Sequence, residues 1–189
     1  MAKRELFDHR LTGPLMRSMH HIEVDRADGE ASLRTALDYL GAGEAVGIFP
    51  EATISRALEL KEFKTGAVRI AAEAGVPVVP VILWGTQRMM TKDHPRDFAR
   101  GKTITINVGP PLRPTGADPV AETAELHRVM LSMLDEAIRT YPAAEQPEGS
   151  WWLPHRYGGT APTLEEAAAM DTAEKAERAA KRAAKAAKS

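Results

Sequence analysis

The sequence predicts an α/β protein: a mixed, mostly parallel sheet with helices on both faces, followed by a helical C-terminal tail. Two apolar, strand-like runs at residues 45–49 and 76–83 flank a segment of helical periodicity. A third run, residues 103–108, alternates apolar and polar positions, as a half-buried strand does. Strands alternating with helices point to βαβ units, and residues 164–189 are rich in Ala, Lys, Arg and Glu, which favour helix.

The chain opens with mixed charge. Ile22 and Val24 then alternate with Glu23 and Asp25, a short strand ending at Asp25-Arg26, and Ala27-Asp28-Gly29 is turn chemistry. Ser32 is placed to cap a helix whose apolar face is Leu33, Ala36, Leu37 and Leu40, with Gly41 as terminator. Gly41, Gly43 and Gly47 fit neither the dinucleotide nor the P-loop fingerprint, and they precede a strand rather than follow one, so they are turn residues.

Ala45 to Phe49 reads as a buried strand that Pro50 stops, because proline lacks the N–H a ladder needs. Glu51, Thr53 and Ser55 follow, just past the strand end, where open α/β sheets bind ligands. Lys64 to Ala74 carries Ala67, Ile70, Ala71 and Ala74 on one helical face; Gly75 suits the left-handed cap and Pro77 bars continuation. Val76 to Leu83 is almost wholly apolar, the pattern of a strand covered on both faces, with Pro80 arguing for a bulge or an edge.

Beyond Trp84 a cation-rich polar loop leads to the strand at Thr103 to Val108, closed by Gly109-Pro110-Pro111. Asp118, with Pro119 at the first helical position, opens the best-marked helix, whose face is Leu126, Met130, Met133, Leu134 and Ala137. It ends at Tyr141-Pro142. Composition therefore divides the chain into an α/β domain over 1–142, a Pro/Gly-rich linker over 143–163 and a helical or disordered tail over 164–189. In the linker, Trp151 and Trp152 are read as packing on the domain rather than dipping into lipid.

Bulk properties narrow the function. A net charge of −1 excludes a globally basic nucleic-acid binder. The six basic and two acidic residues from Thr172 onward make the tail locally positive, with Lys175, Arg178, Arg182 and Lys185 on one face. No large apolar face accompanies that stripe, which favours a solvated tail over a lipid-binding one. With no cysteine there is neither a disulfide framework nor a thiol nucleophile. No run reaches the roughly 20 apolar residues of a spanning helix, and MAKRELFDHR holds no secretory h-region.

Three segments together carry a resemblance. FPEATIS, ELKEFKTGA and GVPVVPV stand in the order and spacing seen in the glycerolipid acyltransferases typified by 1-acylglycerol-3-phosphate O-acyltransferase. Their pattern is Phe-Pro-Glu-Gly-Thr-Arg-Ser, a Phe-Lys-x-Gly helix start and a Val-Pro-Val-x-Pro strand. The resemblance covers roughly the first 112 residues. It implies the glycerol-3-phosphate acyltransferase-like fold and transfer of a fatty acyl group to lysophosphatidate or a related glycerophosphate acceptor. The donor would be an acyl-CoA or acyl-carrier-protein thioester, used as co-substrate with no bound cofactor or metal. The expected place of work is cytoplasmic, peripheral at the inner face of the cell membrane.

By the same resemblance Arg26 helps hold the acceptor's phosphate, and Phe49, Pro50, Glu51, Ala52 and Thr53 form the acceptor-side turn. Ala52 stands where the family has glycine and Ile54 where it has arginine, leaving Arg56, Lys61 and Lys64 as the nearby candidate cations. Glu51 either orders the turn or contacts the acceptor's hydroxyls.

The family takes its base and orienter from a His-x-x-x-x-Asp motif upstream of the Asp-Arg strand. Only His20 and Asp25 have that spacing here, and in the family register Asp25 belongs to the Asp-Arg strand, so the pair is a candidate by spacing alone and the catalytic residues are unassigned. The expectation is that the natural reading frame starts upstream of Met1. The alternative is a non-catalytic relative that binds anionic lipid or phosphate.

Overall fold

The computed structural model describes residues 1–24 and 29–186. In chain order the elements are β1 (Ala2–Lys3), α1 (Arg4–Asp8), α2 (Thr12–Ser18), β2 (Glu23–Val24), α3 (Gly29–Gly41), α4 (Gly66–Ala74), β3 (Val81–Trp84), β4 (Thr105–Val108), α5 (Pro119–Arg139) and α6 (Leu164–Ala186). The chain divides into two compact units. The first comprises Met1–Thr53, Glu62–Val81 and Val108–Leu131; the second comprises Ile54–Lys61, Ile82–Asn107 and Ser132–Ser189.

In the first unit β1 and β2 pair in parallel, Ala2 opposite Glu23 and Lys3 opposite Val24. Behind them Ile22, Ala36 of α3 and Ile70 of α4 form a small core that Met1, Leu33, Leu37, Leu40 and Val46 border. Burying such side chains is what holds short elements of low intrinsic stability in place. Ser32 is not the cap of α3. It lies inside the helix, buried, and its hydroxyl donates to Glu23 O at 3.1 Å, tying α3 to β2. Gly75 does cap α4, at φ 67°, with its N–H on the carbonyls of the last turn. Pro80 is fully buried and accepts from Gly109 N at 2.9 Å, and Val78 makes an isolated antiparallel bridge with Leu112.

Two strand expectations change. Residues 45–49 form no strand: Phe49 is 79% exposed and Ile48 37%, because an apolar run makes a ladder only where a partner strand lies alongside. The run at 76–83 becomes ladder only from Val81, and β3 alternates exposed and buried residues rather than being covered on both faces. The strands accordingly form two two-stranded sheets, β1-β2 and β3-β4, among the described residues. The α/β class stands.

The second unit is built around aromatic packing. Trp152 lies 5.6 Å, centroid to centroid, from Tyr141 and 6.3 Å from Trp84, with the Arg88 guanidinium 4.7 Å over its ring. Ile82, Leu134, Ala137, Ile138, Leu153, Ala161 and Ala167 are buried in the same unit. Residues 143–163, expected as a linker, are thus packed chain: Trp152, Leu153 and Pro154 are all buried. Composition misled here because Pro and Gly also build tight, non-helical packed turns. Trp151 stacks on His94 at 3.8 Å. At α5, Asp118 Oδ1 accepts from Val120 N and Ala121 N at 3.1 and 3.0 Å, the cap its sequence promised.

Candidate active site

In the first unit, Phe49-Pro50-Glu51-Ala52 closes as a turn, Ala52 N donating to Phe49 O at 3.1 Å. Proline at the second position presets the φ that such a turn requires. Lys64 N reaches back to Pro50 O at 2.9 Å, so the approach to α4 is fastened to the turn through its main chain. The Lys64 residue itself is exposed. Ala52 sits at φ 57°, in the left-handed region that a Cβ disfavours. Glycine, which the family pattern has at that position, would take this angle without the strain that the alanine here bears. Thr53 is half-buried just beyond.

Arg56 and Lys61 belong to the second unit, where the structure gives them carboxylate partners. Arg56 Nε donates to Asp93 at 2.5 Å, its Nη1 to Asp171 and its Nη2 to Glu174 at 2.9 Å. Lys61 Nζ donates to Asp171 Oδ2 at 2.5 Å, and Lys92 Nζ to Asp171 Oδ1 at 3.0 Å and Glu174 at 3.3 Å. The hydrogen bond to Asp93 leads in holding the guanidinium protonated well above its ordinary range, against the opposing effect of burial. Burial pushes the Asp171 carboxyl up, but the bonds from Lys61 and Lys92 outweigh it and leave it at about 2. Ser55 Oγ, one residue earlier, is buried with no hydrogen-bond partner among the described residues.

Asp25 and Arg26 lie outside the described residues. His20 is exposed, at φ 53° in the turn after α2 rather than on a strand. Among the described residues no cluster of His, Cys, Asp and Glu is placed to hold a metal ion, and no helix is long and apolar enough to cross a membrane. Lys92, Asp171 and Glu174 were not singled out as site residues from the sequence. Their ion pairs span 79 to 118 positions, and local spacing carries no signal over such distances.

Residues 1–84 match the family model described as "Acyltransferase". A 1-acyl-sn-glycerol-3-phosphate acyltransferase from Limnanthes douglasii is 30% identical over 154 residues, 79% of this chain and 53% of that protein. One from Bacillus subtilis (strain 168) is 41% identical over 113 residues, 59% of this chain and 53% of that protein. The chain therefore spans about half the length of these curated relatives. Among solved structures, the 1-acyl-sn-glycerophosphate (LPA) acyltransferase PlsC from Thermotoga maritima superposes with a TM-score of 0.60 at 24% identity, covering 75% of this chain and 57% of that one, which is a likeness of fold. The motif segments and these relatives together make the chain similar to the glycerolipid acyltransferases, with the match to the family model lying within residues 1–84.

Proposed function

We propose that this protein transfers a fatty acyl group from an acyl thioester to the free hydroxyl of a lysophosphatidate-type acceptor. The observation that carries this is the turn at 49–52. It closes with Ala52 in the left-handed conformation at the family's glycine position, and Lys64 N is bonded to Pro50 O. In the reaction the acceptor oxygen attacks the thioester carbonyl, an ester bond forms and the C–S bond breaks. The hydroxyl's proton passes to a base and the thiolate leaves. The donor is a coenzyme A or acyl-carrier-protein thioester. Arg26 contributes the cation that a phosphomonoester end needs, and the turn at 49–53 lies on the acceptor side. The work is done at the inner face of the cell membrane, where such acceptors lie.

The deciding experiment uses the protein at its natural length. It is incubated with lysophosphatidate and labelled acyl-CoA, and separately with labelled acyl-carrier protein. Formation of labelled phosphatidate from either donor supports the reading. Lysophosphatidate binding without turnover from either donor replaces it with the second reading, a phosphate- or anionic-lipid-binding relative.

A further inference from the structure

In the first unit, α2 turns its apolar side chains away from the protein. The helix presses on α1 through a glycine: Gly13 is buried, and a Cβ there would lie 2.3 Å from Phe7 O. Phe7 is buried, with the Arg17 guanidinium 5.9 Å from its ring centroid. Leu11, Leu15 and Met19 recur at intervals of four, which sets them on one face of α2 and its caps. That face is open. Leu11 is 80% exposed, Leu15 52% and Met19 58%. A surface helix that serves only the core keeps such a stripe inside and its polar residues out.

The hydroxyls of α2 are satisfied from within. Ser18 Oγ donates to Leu15 O at 2.9 Å, and Thr12 Oγ1 to Leu6 O at 2.6 Å. Covering the face with apolar matter would therefore leave neither hydroxyl without a partner. Charge indicates what covers it. Residues 1–21 hold four basic side chains, at 3, 4, 10 and 17, against two acidic ones, at 5 and 8. That is +2 within a chain of net charge −1. Arg10 and Arg17 are exposed, and neither forms an ion pair with a described residue. A second copy would meet this surface with the same positive charge. An anionic bilayer meets it with phosphates, and arginine side chains are long enough to reach headgroups while apolar neighbours sink below them.

We propose that the Leu11–Leu15–Met19 face of α2 is an interfacial anchor, seated at headgroup depth in a bilayer of anionic lipid. The proposal deepens the reading of work at a membrane face and rests on it for the choice of partner, naming the residues that make the contact. It asks nothing of the acyl-transfer step.

The test is flotation of the full chain, without acyl donor, on vesicles of phosphatidylcholine alone and of phosphatidylcholine mixed with phosphatidylglycerol. Wild-type protein is compared with an L11S/L15S/M19S triple variant and an R10Q/R17Q double variant. The three apolar side chains are exposed, so their replacement should cost the fold little. Wild-type protein is expected to bind the anionic vesicles about tenfold more tightly than the neutral ones. The triple variant should lose binding by tenfold or more, and the double variant should lose the preference for anionic lipid. A triple variant that floats like wild type overturns the proposal, as does wild-type protein that floats with neither vesicle. A wild-type dimer that ignores vesicles, and that the triple variant makes monomeric, assigns the face to a second copy and also overturns it. Amide exchange of the wild-type chain gives an answer that needs no variant: anionic vesicles should slow exchange over residues 4–21 and leave α3 and α4 unchanged, and no slowing there overturns the anchor. Turnover of lysophosphatidate in neutral detergent micelles needs no bilayer. Turnover without flotation therefore removes the anchor alone, and flotation without turnover removes acyl transfer alone.

Discussion

Ala52 shows how much a single backbone angle can disclose. Its φ of 57° carries a Cβ into a region that costs an L-residue roughly 1–2 kcal/mol. Ala52→Gly is therefore expected to raise stability by about 1 kcal/mol, part of the relief being offset by the added freedom of the unfolded chain. Urea denaturation checks this, and a loss of stability would show that the turn does not hold Ala52 left-handed. Arg26→Ala belongs to the same scale. It should weaken lysophosphatidate binding by about tenfold, the worth of one charge-assisted bond, while leaving the melting temperature nearly unchanged. Equal loss of binding and stability would make Arg26 a structural residue.

Elements whose ends are written in local chemistry were legible from the sequence. Gly75 and Pro77 fix where α4 stops, and Asp118 and Pro119 fix where α5 starts, because a cap acts within three residues of itself. Elements that depend on a distant partner were not. Residues 45–49 have a strand's composition without a strand's neighbour, and α1 and α2, of five and seven residues, are shorter than the windows over which apolar periodicity marks a helix. The site divides the same way. Pro50 marks the motif turn locally, whereas the partners of Arg56 lie 115 and 118 positions away on α6.

The docking of α6 by these ion pairs carries a pH dependence whose sign follows from Asp171. Its carboxyl is held at about 2 against an ordinary 3.8, so the ionised form is favoured in the folded protein. A depressed carboxylate contributes fully above its ordinary value and loses that contribution as pH falls toward the depressed one. Glu145 is lowered in the same sense to about 2, first by the Thr103 hydroxyl and then by Thr103 N and Arg88, and it ties Thr103 into the second unit. Susceptibility of α6 to pepsin should therefore rise progressively below about pH 4. Protease resistance of α6 unchanged down to pH 2 would show that the ion pairs do not hold the helix.

At the scale of the whole molecule, each compact unit is assembled from three separated stretches of chain. The first needs residues out to Leu131; the second begins at Ile54 and needs the stretch from Ser132 onward. During synthesis the second unit must wait for its last stretch while its early pieces are already exposed, and such long-range closure is slow. The division also decides what light reports. All three tryptophans, at 84, 151 and 152, lie in the second unit. Tryptophan emission should follow that unit alone, while far-ultraviolet dichroism sums the helices of both. Superimposable melting curves from the two signals would mean the units unfold as one; a dichroism change with silent emission would be the first unit letting go unseen.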